Sequence, residues 1–241
     1  MGTGIPFEVE PLTGFTVGVT AGASAARRRD ELVALLRRQG ARVVEAPPAA
    51  RMRRLVGHTV RREVQAVAFT SPPATTGFLE VALALGLRAE VLDALREGVL
   101  PVCLGPGCAR PLEQLGVSVQ AGCPDQGRLG SLVRTMVETL PTRNRELHIQ
   151  GHELVLQGSV LLVAGDCLWL PPRPAAVLRV LAERPGRVFG RAELLRRVWV
   201  GSAADEHAVE AAVARLRSAL GPYAGLVRTV SKRGYRLAVT S

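Results

Sequence analysis

Arg191-Ala192-Glu193-Leu194-Leu195-Arg196-Arg197-Val198-Trp199, then Ala214-Arg215-Leu216-Arg217-Ser218-Ala219-Leu220-Gly221, then Arg228-Thr229-Val230-Ser231-Lys232-Arg233-Gly234-Tyr235-Arg236-Leu237 is the run of sequence on which the fold turns. The first block predicts a helix over Arg191 to Val198. The second belongs to a helix over Glu206 to Leu220, in which Val209, Val213, Leu216 and Leu220 recur at i, i+4, i+7 and i+11 and make one buried stripe. The third predicts a basic hairpin, Val227 to Leu237, with Gly234 permitting the positive backbone angle of a tight turn. A preceding helix, Pro174 to Glu183, leads in through Pro185-Gly186-Arg187-Val188. Three helices and a cationic ribbon in this order predict a winged helix-turn-helix, with one helix for a DNA major groove and a ribbon for phosphate.

The candidate contact residues follow from that placement. Opposite the buried stripe, the third helix carries His207, Ala211, Ala214, Arg215 and Ser218. Arg215 is the candidate base reader, because a guanidinium donates two bonds to guanine. Arg217 lies toward the flank and is assigned to phosphate, and His207 to either. Small alanines allow close approach without hydrogen bonds, so discrimination through this helix is expected to be modest. In the hairpin the candidates are Arg228, Thr229, Lys232, Arg233, Tyr235 and Arg236, with the Tyr235 ring packed on the domain and its hydroxyl outward. Arginines on a helix and a basic hairpin are, taken singly, ordinary solvated surface. Their occurrence side by side favours the nucleic-acid reading.

The three blocks closely resemble the OmpR/PhoB-type effector domain of bacterial response regulators, over about the last hundred residues. The resemblance implies a DNA-binding transcriptional regulator. Two positions depart from the family pattern: Pro171-Pro172 stands where a Thr or Ser cap is usual, and Gly190 replaces a Ser. Both weaken helix caps and leave the DNA surface intact. The loop Val200 to Asp205, which in that family often touches polymerase, is short here.

With 241 residues there is room for two ordinary domains. Residues 142–241 hold 15 Lys plus Arg against 8 Asp plus Glu, net +7, whereas residues 1–141 are net +3. The excess at the carboxy-terminal end favours a polyanionic partner. A single lysine, Lys232, among 31 basic residues marks a GC-rich coding bias, so arginine abundance alone says nothing about nucleic acid. No apolar run is long enough to span a bilayer and the start lacks a signal-peptide pattern, so a cytoplasmic protein without a membrane partner is expected. Cys103, Cys108, Cys123 and Cys167 show no CxxC spacing. They are read as buried free thiols, with no metal site and no cofactor.

From Phe15 onward, β-rich runs alternate with helical ones. Strands are predicted at Phe15 to Thr20, Ala41 to Glu45, Ala66 to Thr70, Leu100 to Leu104 and Ser118 to Ala121. Helices are predicted at Ala25 to Arg38, Met52 to Glu63, Thr76 to Arg96 with a break near Gly86, Cys108 to Leu115 and Arg128 to Leu140. That alternation predicts α/β architecture, a parallel flavodoxin-like sheet domain over residues 1–141, ahead of a winged helix-turn-helix (α+β) domain over residues 142–241. Pro141-Thr142-Arg143-Asn144-Arg145-Glu146 reads as the linker. Alternating Leu147, Ile149, Leu154, Leu156, Leu161, Val163, Leu168 and Leu170 predict a small antiparallel sheet before the helices.

A phosphate receiver is excluded by residue chemistry. The strand ends read Thr20-Ala21-Gly22, Thr70-Ser71-Pro72 and Ala121-Gly122-Cys123, which supply neither carboxylate nor lysine. Neither a GxGxxG nor a GxxxxGK[ST] phosphate loop is present. The residues instead resemble uroporphyrinogen-III synthase: Phe15-Thr16-Val17-Gly18-Val19-Thr20 with Ala26-Arg27-Arg28-Arg29-Asp30-Glu31-Leu32, then Val67-Ala68-Phe69-Thr70-Ser71-Pro72, then Leu104-Gly105-Pro106-Gly107-Cys108-Ala109. Joined to an OmpR-type end, such a domain resembles a known actinobacterial arrangement.

The synthase family has two α/β lobes with the substrate between them, the second inserted between early strands of the first. Here about twenty residues separate Ala46 from Ala66, room for one helix. With one lobe and Cys108 in place of the family's Thr, no catalytic residue is assigned and catalysis is expected to be lost. The alternative is a bifunctional synthase cyclising hydroxymethylbilane. Loops at strand ends offer candidate ligand residues, Thr20, Ser24, Thr70, Ser71, Gly105, Gly107 and Cys108, with helix starts presenting N–H groups to an anion. Ordinary turn and capping chemistry explains the same residues equally well. A small-molecule effector and a homodimer stay open as partners beside double-stranded DNA.

Overall fold

The computed structural model describes residues 10–20, 26–46, 49–119, 129–149, 151–200 and 202–239. It divides into two compact units, one within residues 11–143 and the other within residues 144–239.

In the front unit the sheet is all parallel, in the order β2-β1-β3-β4: β1 Thr16–Thr20, β2 Arg42–Ala46, β3 Ala66–Phe69 and β4 Leu100–Cys103. The helices are α1 Ala26–Arg38, α2 Ala49–Val60, α3 Pro72–Ala84, α4 Arg88–Glu97, α5 Pro106–Glu113 and α6 Leu129–Thr139. β1 and β3 lie in the middle and are buried along nearly their whole length, as near-continuous Val, Ala and Phe runs require of a sheet covered on both faces. One helix, α2, fills the span between β2 and β3 and seats directly on β1. A Cβ at Gly18 would lie 2.4 Å from Leu55 Cδ1, so Gly18 is a packing glycine that lets this helix approach. Phe69 and Phe78 meet edge to face at 5.4 Å in the core beneath α3.

Among the described residues the fifth predicted strand is not found. Ser118 and Val119 lie in irregular chain, and Gln120 and Ala121 fall outside the described residues. The long helix predicted from Thr76 starts four residues earlier at Pro72, because Ser71 caps it by accepting from Ala74 N and prolines suit a first turn. Its break occurs at Leu85–Leu87, with Gly86 at φ +68°. α2 begins and ends three residues before its predicted limits, at Val60, and Arg62 then turns back at φ +51°.

The rear unit opens with a four-stranded antiparallel sheet in sequence order, β5 Arg145–Ile149, β6 His152–Gln157, β7 Val160–Val163 and β8 Asp166–Trp169. The alternating residues named above face its core, except that Leu168 is half-exposed. Then come α7 Pro172–Ala182, α8 Arg191–Val198 and α9 Glu206–Leu220, a 3-10 turn Gly221–Leu226, and the hairpin β9 Val227–Val230 and β10 Gly234–Leu237. Val209, Val213, Leu216 and Leu220 are all buried. Each such side chain contributes about 1.5–3 kcal/mol of apolar transfer, which holds α9 in place. Neither Pro171 nor Gly190 caps its helix with a side chain. Asp205 does so for α9, accepting from Ala208 N. Of the cysteines, Cys103 and Cys108 are buried, Cys167 is exposed on β8 against expectation, and Cys123 falls outside the described residues.

Candidate nucleic-acid interface

α9 divides along its length. His207, Ala211, Ala214, Arg215 and Ser218 are exposed, while the opposite stripe is in the core. Arg215 reaches only its own helix, donating from Nε to Ala211 O at 3.3 Å. That leaves the outer end of its guanidinium accessible. Ser218 Oγ donates to Ala214 O. The exposed His207 ring is 3.7 Å from Glu210 Oε2.

Arg217 departs from its assignment. Its Nε and Nη2 both donate to Val227 O, at 3.1 and 2.8 Å, and Nη2 also donates to Thr229 Oγ1 at 2.8 Å. This arginine ties the last turn of α9 to the first strand of the hairpin. The helical flank predicted to meet phosphate is the flank that meets the wing.

The hairpin is anchored on one side. Phe189 exchanges both backbone bonds with Tyr235, at 2.8 and 3.0 Å, so β10 is held by chain on each edge. Gly234 makes this contact possible: a Cβ there would stand 2.0 Å from Phe189 O, at φ +129°. The turn angle expected of Gly234 falls in addition on Lys232, at φ +58°. Arg228, Thr229, Lys232 and Arg233 are exposed. Tyr235 is 5% exposed, with the Arg191 guanidinium 5.7 Å from its ring centre. It is an anchor of the wing and not part of its outer surface. Arg236 is half-buried opposite Arg228, with Nε enclosed and without a hydrogen-bond partner.

Sequence reasoning missed Arg191 and Glu210. Arg191 Nε donates to Glu210 Oε1 at 2.9 Å, joining the start of α8 to the middle of α9. Its guanidinium is shifted above the ordinary value: loss of solvent works against the charge, and Tyr235 and Glu210 more than offset that loss. The signal available in the sequence was an acid placed three residues after His207 on the exposed face. Many other arginines of this unit are engaged internally. Arg145 donates to Ala182 O, Arg179 to Gly158 O and Arg173 to Val198 O; Arg187 pairs with Glu193 and Arg197 with Glu183.

At the strand ends of the front unit, the hydroxyls predicted as ligand groups are bonded within the sheet. Thr20 Oγ1 donates to Ala68 O at 2.9 Å and Thr70 Oγ1 to Thr20 O at 2.7 Å, both fully enclosed. Ser71 is occupied as the α3 cap, and Cys108 Sγ donates to Leu104 O. The starts of α3 and α5 do converge, since a Cβ at Gly107 would lie 3.2 Å from Pro72 Cγ. Yet Pro72, Pro73 and Pro106 occupy first-turn positions and carry no N–H, which removes three of the donors an anion would use. Gly105, at φ +95°, begins α5 with open space around it. Ser24 falls outside the described residues. Among the described residues no group of His, Cys, Asp and Glu is placed to hold a metal ion. No helix among them is long and apolar enough to cross a membrane.

Two family models match the chain: "Uroporphyrinogen-III synthase HemD" over residues 17–153, more than half of it, and "Transcriptional regulatory protein, C terminal" over residues 165–237. Transcriptional regulatory protein AfsQ1 of Streptomyces coelicolor is 38% identical over 121 residues, 47% of this chain and 53% of AfsQ1. The chain thus spans about half the length of that curated relative. Among solved structures, the DNA-binding domain of Escherichia coli CadC is 27% identical with a TM-score of 0.36, over 41% of this chain and 94% of that one. The C-terminal domain of the nisin resistance regulator NsrR is 26% identical with a TM-score of 0.31, over 33% and 83%.

Proposed function

For a chain that belongs to the uroporphyrinogen-III synthase HemD family and carries a transcriptional regulatory C-terminal domain behind that part, we propose the function of a cytoplasmic, DNA-binding transcriptional regulator. The observation that carries this reading is the joint exposure of the outer α9 face and the wing tip, held together by the Arg217 brace. α9 enters the major groove with Arg215 on a base edge, His207 and Ser218 beside it, and Ala211 and Ala214 allowing close approach. Arg228, Thr229, Lys232 and Arg233 grip phosphate. Arg217 and Tyr235 take positioning roles, and Arg236 supports the charge from behind.

The full chain is expected to retard duplex DNA, with affinity falling steeply as salt rises, because each neutralised phosphate releases counterions. Flat salt dependence together with no preference in a selection from random duplexes rejects the reading.

The front unit is proposed to act without catalysis, as a sensory or dimerisation domain. Supporting this, one helix stands between β2 and β3, and the strand-end hydroxyls are spent on neighbouring carbonyls. The family match over residues 17–153 favours a second reading, cyclisation of hydroxymethylbilane to uroporphyrinogen III. Isomer analysis of the product separates the two. Isomer III above the spontaneous isomer I establishes the enzyme; isomer I alone supports the regulator.

A further inference from the structure

Glu210 sits on α9 one turn from both His207 and Ala214, on the edge of the face assigned to DNA. Its side chain is 45% exposed. A carboxylate there meets a phosphate backbone on docking, and like charge repels. Both oxygens have cationic or potentially cationic neighbours. Oε1 accepts from Arg191 Nε at 2.9 Å, and Oε2 lies 3.7 Å from His207 Nδ1. Of the two, Arg191 is the better fixed. It is 27% exposed, comes from a different helix, and has its guanidinium against the Tyr235 ring of β10. That planar cation is therefore in contact with α9 and the wing at once, from its own place at the start of α8.

We propose that Arg191 is a positioning residue that neutralises and holds Glu210, so that this carboxylate presents no unanswered charge to DNA while the angle of α9 to the wing is kept. The assignment rests on the DNA-binding reading above. It makes Glu210 an acid tolerated at the docking face because its charge is answered from behind, and it separates Arg191 from the arginines that touch the ligand.

The test uses the full chain, a duplex selected by the wild type from a random pool, and binding measured across a salt series beside thermal melting. R191A is expected to weaken binding on the order of tenfold at low salt, by leaving Glu210 unanswered. R191A/E210Q is expected to return to within about twofold of wild type. R191K, which keeps the charge and loses the fork, should fall between R191A and wild type. E210Q alone binds at least as tightly as wild type.

Four outcomes overturn the assignment. R191A/E210Q as weak as R191A, with a salt slope shallower by about one, makes Arg191 a phosphate contact. A lowered melting temperature with unchanged binding makes the pair a simple staple between helices. E210Q that weakens binding and shifts base preference makes Glu210 a reader of cytosine amino groups. A wild type that binds no duplex overturns the DNA reading and this assignment together, whereas the other results leave the DNA reading standing.

Discussion

Arg217 and Val227 are joined by two hydrogen bonds to one carbonyl, so the orientation of the wing is set from the carboxy-terminal turn of α9. Arg217→Ala removes these and the bond to Thr229. A hydrogen bond from a charged donor contributes about 1.5–3 kcal/mol and Arg217 is part-exposed, so a loss of about 1–2 kcal/mol is expected in urea denaturation. DNA affinity should fall across all sequences alike.

Arg215 and Lys232 separate reading from gripping. Arg215→Ala should flatten base preference at one position, by about 1–3 kcal/mol of discrimination. Lys232→Ala and Arg233→Ala should weaken binding to every duplex and each reduce the salt slope by about one. Parallel selections and salt titrations on the three variants measure both effects. Unchanged binding in all three shows that the docking surface lies elsewhere.

Gly234 and Gly165 both have positive φ, but a methyl group added at Gly165 meets open space, whereas at Gly234 it strikes the Phe189 carbonyl. Gly165→Ala is expected to cost about 1 kcal/mol, from backbone strain alone. Gly234→Ala should exceed about 3 kcal/mol, because the wing must detach from Phe189. Melting temperatures of the two variants give the comparison.

Tyr223 donates its phenolic hydrogen to Asp166 Oδ2 at 2.9 Å, and that bond, with some loss of solvent and the nearby negative charge, raises its pKa above the ordinary value. The native state thus binds this proton more tightly than the unfolded chain does. The resulting stabilisation is complete below the ordinary tyrosine value of about 10 and disappears as pH rises through the raised native value. Absorbance titration of phenolate should show Tyr223 ionising late, and Asp166→Asn should bring it back toward the ordinary range.

The helical limits of α8 and α9 and the hairpin limits follow directly from periodicity and turn chemistry, and Leu147 to Val163 announce their sheet through alternation. The Arg217 brace is not legible because a helical projection shows that a residue lies on a flank without showing what the next element lays against it. Tyr235 was half legible: its ring packs inward as expected, but the backbone exchange with Phe189, far back in the sequence, draws the whole residue under cover. The prolines after β3 and β4 were visible from the start. Their consequence for anion binding needed the knowledge that α3 and α5 begin on them. The Arg191–Glu210 pair spans two helices through a loop whose course no local pattern specifies.

A chain recoded throughout from arginine to lysine would keep its positive charge and its solubility, yet loosen at its buckles. Arg217 bridges a carbonyl and a hydroxyl, Arg191 an acid and a ring, and each relies on a flat, forked head that an ammonium does not possess. In this molecule the shape of the cation, more than the amount of positive charge, keeps the parts in register.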